Sequence, residues 1–312
     1  MKDKQKKKVA TVGFFDGVHR GHQYLIGQLR QLADERRLVP AVVTFARHPR
    51  QVLCADYQPQ LLSTPDEKLR LLHETGVEAV CVLPFDRQMA ALSARDFMRQ
   101  VLRDELGVSV LLTGYDNHFG HRSADNSQEG FDDYVQYGRE LGIDVVKALP
   151  LAVAEGQNAS SSLVRRLLAE GAVAKAADCL GRQYEVSGTV VAGEHIGHRL
   201  GFPTANLQPD DPLKLIPAAG AYAVWASVGG QRHAAMMNIG TRPTFNGRQQ
   251  TLEVHLLDFS GDVYGQPLTV RFVARLRDEQ PFASELALKR QLEEDRKQTE
   301  EILSKVRGRT KV

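Results

Sequence analysis

Residues Val9–Leu32, VATVGFFDGVHRGHQYLIGQLRQL, decide how the first half of this chain folds. An apolar run, Val9 to Phe15, has the length of a buried strand; the chain turns at Asp16-Gly17; then Leu25, Ile26, Leu29, Leu32 and Ala33 recur at helical spacing. The pattern predicts strand, tight loop, helix. His19 and His22 then stand three residues apart at the helix mouth, on one face. Free backbone N–H groups and the positive end of the helix dipole point the same way and favour a bound phosphate. Gly21, between the histidines, has no side chain to hold a phosphate off the backbone. Imidazoles there can donate hydrogen bonds to charge growing on a transferring phosphoryl group. Two histidines at a helix start are by themselves ordinary surface residues; the preceding strand, the glycine and Asp16 weigh toward a nucleotide site.

Outward from this segment, strand-like and helix-like stretches alternate as far as Pro150, which predicts a parallel sheet covered by helices. Leu38–Phe45, Val77–Leu83, Val108–Leu112 and Ile143–Ala148 are the further strands. Thr64-Pro65-Asp66-Glu67 combines a capping box with proline at the first helical position, so a helix runs from there to Thr75 and stops at Gly76. Ser93 caps another that ends before Gly107. The charged residues of these helices read as solvated faces. After the second strand, Pro49 turns the chain and keeps His48 out of helical geometry. After the fourth comes Thr113–Gly120, TGYDNHFG, in the position where open parallel sheets gather ligands, although a plain surface turn fits the composition equally well. Ser160-Ser161-Ser162 begins a helix through Leu168; serines there are ordinary caps, but Arg165 one turn in suits a phosphate clamp opposite His19 and His22.

The chain's character changes after the helix Val173–Leu180 and Gly181. Short alternating segments follow, at Tyr184–Val191, Ala221–Val228, Arg232–Ile239, Thr251–Leu257 and Leu268–Leu276, with a hairpin signal at Gly229-Gly230. Small Greek-key barrels are built this way. An amphipathic helix from Ala283 to about Val306 closes the chain, and the boundary is expected near residue 182. In Gly193–Asn206, GEHIGHRLGFPTAN, regularly spaced glycines suit a flap over phosphates. Thr204 and Asn206, two apart in extended chain, aim a hydroxyl and an amide oxygen to one side, hard donors suited to Mg²⁺ shared with ATP. In Thr251–Asp258, TLEVHLLD, strand alternation puts Leu252, Val254 and Leu256 on one face and Glu253 and His255 on the other. A carboxylate so placed can take the proton from a primary hydroxyl attacking a γ-phosphate, although from the residues alone an outward polar face is the ordinary and preferred explanation.

GFFDGVHRGHQ is similar to the HxGH signature of the nucleotidyltransferases. With GFPTAN further on, the chain from about Val9 to about Lys305 resembles the bacterial bifunctional riboflavin kinase/FMN adenylyltransferases. The resemblance implies an α/β nucleotidyltransferase domain over residues 1–182, Rossmann-like with a parallel sheet. A small antiparallel Greek-key β-barrel with a C-terminal helix follows over 183–312. It implies that the barrel phosphorylates riboflavin to FMN with ATP and Mg²⁺, and that the first domain adenylylates FMN to FAD, releasing pyrophosphate. In the first domain His19 and His22 would stabilise the reacting phosphates. Phe15, Asp16, Gly17, Gly21, Ser161, Ser162 and Arg165 would bind ATP, the last three from a segment similar to the family's SSTxIR. His48, Asp116 and Phe119 would contact flavin. In the barrel Glu253 would be the base, and Gly201, Thr204 and Asn206 would hold the nucleotide, the last two with the metal. Asn238–Thr244, NIGTRPT, matches a family loop near the kinase site without individual roles. Ala46-Arg47 stands where the family usually has proline, and His198 where it has arginine.

At 312 residues the chain is comfortable for two domains. Lys and Arg (40) exceed Asp and Glu (38) by two, so no general basic field attracts nucleic acid, and the lysine-rich start MKDKQKKK reads as a solvated end. No apolar stretch is long enough to span a membrane, and no signal peptide is legible. Cys54, Cys81 and Cys179 are odd in number and far apart, which points with the rest to the reducing cytoplasm. The expected partners are therefore riboflavin, FMN and ATP, with neither nucleic acid nor membrane. Two rivals stay open: an adenylyltransferase for another substrate with a ligand-binding barrel, and a non-catalytic flavin- or RNA-binding protein.

Overall fold

The computed structural model describes residues 6–54, 56–114, 119–120, 129–150, 159–192, 201–244 and 247–309. The chain divides into two units, residues 1–160 and 161–312. This division falls ahead of the boundary expected near 182. The intervening helices, α7 (Ser161–Ala169) and α8 (Val173–Leu180), belong with the second unit, where the Ala218 N–H donates to Leu168 O at 3.0 Å.

The first unit is a five-stranded parallel sheet of β1 (Lys8–Val12), β2 (Val39–Phe45), β3 (Ala79–Leu83), β4 (Val108–Thr113) and β5 (Asp144–Lys147), in the order β3-β2-β1-β4-β5. Successive residues of β1 enter opposite layers. Val9 packs with Ile26 and Leu29 of α1 (Arg20–Arg36); Ala10 and Val12 pack with Met98, Val101 and Tyr134 on the other side. Burial on both faces explains why the strands read as continuous apolar runs. The direction in which successive strands are added reverses between β1 and β4, the switch point at which doubly wound sheets open a crevice.

The short α2 (Pro49–Leu53) follows β2, and α3 (Pro65–Glu74) starts on the expected capping box, with Thr64 and Glu67 exchanging side-chain and backbone bonds. After α4 (Arg87–Ala90), Ser93 caps α5 (Ala94–Asp96) as expected. The continuation, Phe97–Glu105, is π-helical rather than an ordinary helix, ending with Leu106 N–H on Val101 O at 3.0 Å. α6 (Phe131–Leu141) leads into β5.

The second unit is a closed barrel of β6 (Glu185–Val191), β7 (Ala205–Pro209), β8 (Gly220–Val228), β9 (Gln231–Thr244), β10 (Gly247–Leu256) and β11 (Pro267–Arg277), in the order β10-β7-β6-β11-β8-β9. Val186, Tyr222, Val224, Val254, Val270 and Phe272 fill its interior, each 0% exposed. Ala223 and Trp225 point outward and are covered by Leu303 of α9 (Glu285–Arg309). Gly229 and Gly230 both have positive φ, 57° and 77°, and close the expected hairpin. β7 is a strand that the sequence reading treated as loop. Prolines flank it, and only Ala205 and Leu207 turn inward, too short an alternation to register as a strand.

Candidate functional site

At the first unit's switch point the chain leaves β1 through a strained turn. Phe15 and Val18 take positive φ, 54° and 37°, with Gly17 at 76° between them. Non-glycine residues hold such angles only where surrounding bonds fix them. Here Asp16 does so: its carboxylate accepts from Leu62 N and Ser63 N, each at 3.0 Å, and Ser63 Oγ accepts from Gly17 N at 3.0 Å. Asp16, a residue expected on ATP phosphates, is 3% exposed and braces this turn.

His19 caps α1, its Nδ1 accepting from His22 N at 3.4 Å. That fixes the tautomer, because an accepting Nδ1 leaves the proton on Nε2. The His22 ring stacks on His19 at 3.7 Å between centroids, with Phe15 edge-on at 5.0 Å. Burial, aided by His19, holds the His22 pKa well below its ordinary value, so the ring is neutral at neutral pH. Its Nδ1 is buried without a hydrogen-bond partner among the described residues. A Cβ on Gly21 would meet Ala159 O at 3.0 Å and the His19 ring at 3.1 Å, so only glycine leaves this mouth open.

Beside it, His48 caps α2 and lies edge-on to Phe14 at 4.8 Å and tilted to Tyr57 at 5.4 Å. Phe14 carries the ammonium of Lys68 on its ring at 4.0 Å, and that ammonium donates to Phe45 O at 2.7 Å. Lys68 is 4% exposed, and burial draws its pKa down to about 8 against the opposing pull of Asp16. The charges of α3 were expected on a solvated face, and Lys68 departs from it. Its spacing from Leu71 and Leu72, three and four residues on, marks the buried face and was the available signal. Phe119, partly buried, stacks on Tyr134 at 4.4 Å and packs against the core cluster of Phe97 and Met98. Asp116 and the glycine flap 193–200 lie outside the described residues. Ser161, Ser162 and Arg165 stand in the first two turns of α7, with Leu163 and Val164 buried beneath them.

In the barrel the expected residues converge through register. Glu253 on β10 pairs with Asn206 on β7 and with Asn238 on β9, so the three side chains form a row on one face across three strands. Glu253 and Asn238 line a cavity of about 270 Å³ together with Thr204, His255 and Glu279. Thr204 also lines a second cavity, of about 620 Å³, formed with Val190, Val254, Phe259 and Tyr264. Thr204 is thus the common wall of two cavities. Gly201 precedes it with φ of 85° and open space around its Cα. Arg277 and Asp295, an ion pair at 2.8 Å with Asp295 2% exposed, tie β11 to α9 at the edge of the smaller cavity. Asn238 had no role in the sequence reading; its place opposite Glu253 follows from strand register, which motif matching does not supply. Thr204 and Asn206 carry a hydroxyl and an amide oxygen, donors of the hard kind that Mg²⁺ takes.

A doubly wound sheet with paired imidazoles at a helix mouth, joined to a closed barrel with a carboxylate in a polar row, defines a two-unit nucleotide-dependent transferase. The FAD synthetase family matches residues 1–163 and the riboflavin kinase family residues 180–303. The chain belongs to the family of bifunctional riboflavin kinase/FMN adenylyltransferases. The protein of that name from Escherichia coli K12 is 39% identical over 297 residues, covering 93% of this chain and 91% of its own. The one from Bacillus subtilis is 34% identical over 311 residues, covering 98% and 96%. A solved Streptococcus pneumoniae structure, named macrolide-efflux protein, is similar with a TM-score of 0.85 and 31% identity over 95% of this chain and 94% of that one. Among the described residues no helix is long and apolar enough to cross a membrane.

Proposed function

We propose that the chain makes both flavin cofactors: riboflavin is phosphorylated to FMN in the barrel, and FMN is adenylylated to FAD in the sheet unit. The observation that carries the kinase reading is Thr204 as the shared wall of two cavities, with Glu253, Asn206 and Asn238 in one row beside it. The smaller cavity holds the riboflavin 5′-hydroxyl against Glu253, which accepts its proton as the oxygen attacks the γ-phosphorus of ATP. The larger cavity takes the nucleotide, and Gly201 leaves room for its phosphates. Thr204 and Asn206 would hold Mg²⁺, which would supply neutralisation of phosphate charge.

In the sheet unit the FMN phosphate attacks the α-phosphorus of a second ATP and pyrophosphate leaves. His19 Nε2–H and His22 donate to the developing charge, while Gly21 keeps the mouth clear. Ser161, Ser162 and Arg165 bind the departing phosphates, and His48 supports the flavin. No covalent intermediate is needed, since positioning and electrostatics suffice. We place the border of the two activities near residue 182 and the protein in the cytoplasm, acting on small molecules and not on nucleic acid.

Glu253→Gln tests this. It is expected to lower FMN formation from riboflavin by about 10²–10⁴-fold, the range of a lost general base, and to leave FAD formation from FMN intact. Retention of riboflavin phosphorylation would remove Glu253 from the mechanism.

A further inference from the structure

We propose that His255 is a positioning residue of the kinase site: its ring holds the Pro203 carbonyl and so sets Thr204 against Glu253. The inference rests on the reading of Thr204 and Glu253 given above.

His255 follows Glu253 by two residues on the same face of β10, is 8% exposed, and places Nδ1 2.8 Å from Pro203 O. A carbonyl oxygen only accepts, so Nδ1 carries the proton. The Phe202 ring meets the imidazole edge-on at 5.2 Å and fixes its plane. The bonded carbonyl belongs to the peptide joining Pro203 to Thr204. Because a peptide unit is planar, holding its oxygen also holds the direction in which Thr204 begins.

The position of this bond is informative. Strand pairing between β7 and β10 covers Val254 with Ala205 and Glu253 with Asn206. Thr204 lies one residue before β7 begins, where backbone pairing to β10 gives out. The imidazole supplies the next tie, from the strand that carries Glu253 to the peptide that carries Thr204. Base and phosphate-side hydroxyl are thereby locked to one strand.

Burial lowers the His255 pKa, the Pro203 bond opposes this, Arg296 of α9 lowers it and Asp258 raises it. Nδ1 keeps its proton in both the neutral and the charged ring, so acidification leaves the tie in place.

Asparagine and glutamine separate the two ring nitrogens. His255→Asn puts an amide N–H where Nδ1 sits; His255→Gln puts one where Nε2 sits. The Asn variant is expected to keep riboflavin phosphorylation within about 3-fold of the parent, and the Gln variant to lose about 10-fold or more in kcat, as for a lost buried hydrogen bond and a displaced group. The Gln variant should also need more Mg²⁺ for half-maximal rate. FMN adenylylation by the same chains reports on folding and should not move. Equal losses in both variants, or a Gln variant better than the Asn variant, overturn the inference. Nitrogen-15 spectra of the unaltered protein decide it without any variant: a proton on Nδ1 across the pH range is expected, and a neutral ring protonated on Nε2 overturns it. If Glu253→Gln is inactive while His255→Gln matches the parent, only this inference fails. If Glu253→Gln is active, the reading of the site fails instead.

Discussion

In the sheet unit the side chains at the helix mouth, Phe15, His19 and His22, come from one short run wound through a single turn. In the barrel they come from β7, β9 and β10 and meet only because the register sets Asn206, Glu253 and Asn238 in a row. The first site is held by local backbone: positive φ at Phe15 and Val18, braced by Asp16 on Leu62 and Ser63. The second is held by long-range pairing, where a slip of one residue would turn Glu253 from the cavity into the barrel interior. A local site fails by losing a donor. A register site fails by losing what fixes its strands.

The sharpest way to break this contrast is the converse of the Glu253→Gln experiment. His22→Ala should lower FAD formation from FMN by about 10²–10³-fold, the cost of losing a donor to developing charge, and leave FMN formation from riboflavin intact. Both activities falling together, with the fold preserved by circular dichroism, would mean that the two sites are not independent. Next in size is Asp295→Ala. It removes the carboxylate that Arg277 meets through Nε and Nη2 at 2.8–3.1 Å and leaves the guanidinium its bond to Asp278 O. Removing one partner of a buried pair costs about 3–5 kcal/mol, so urea unfolding of the barrel should shift strongly while that of the sheet unit stays put. An unchanged barrel transition would show that α9 is not held through this pair.

The same contrast explains what the sequence discloses. Strand, turn and helix at Val9–Leu32 were legible because their causes lie within a few residues: an apolar run, a glycine turn, a 3.6-residue period. The capping box at Thr64 and the hairpin at Gly229-Gly230 were legible for the same reason. Glu253 was not, since its face of β10 looks like any solvated strand; only family resemblance singled it out. Asn238 and β7 were missed because pairing between distant strands leaves no local period. The buried hydrogen bonds of Asp16 to Leu62 and Ser63 were not legible either, because they depend on a loop 46 residues away.

Lys68 gives the finest test, because it asks how much the sheet unit spends on holding one buried cation near its site. Its ammonium sits between the Phe45 carbonyl and the Phe14 ring, and burial lowers its pKa from 10.5 to about 8. In the unfolded chain the amine keeps its proton up to the higher value. Between those limits the unfolded state therefore binds more protons, and the sheet unit gains stability as pH rises. From pH 8 to 10 the gain should be about 2 kcal/mol, read as the difference in unfolding free energy between the parent and Lys68→Met. Other titrating groups are common to both chains and cancel. Lys68→Met should show no such rise, since methionine fills the site without a charge to desolvate. A parent whose stability relative to Lys68→Met stays flat over that range would mean the ammonium is solvated, and that the contacts to Phe14 and Phe45 do not bury it.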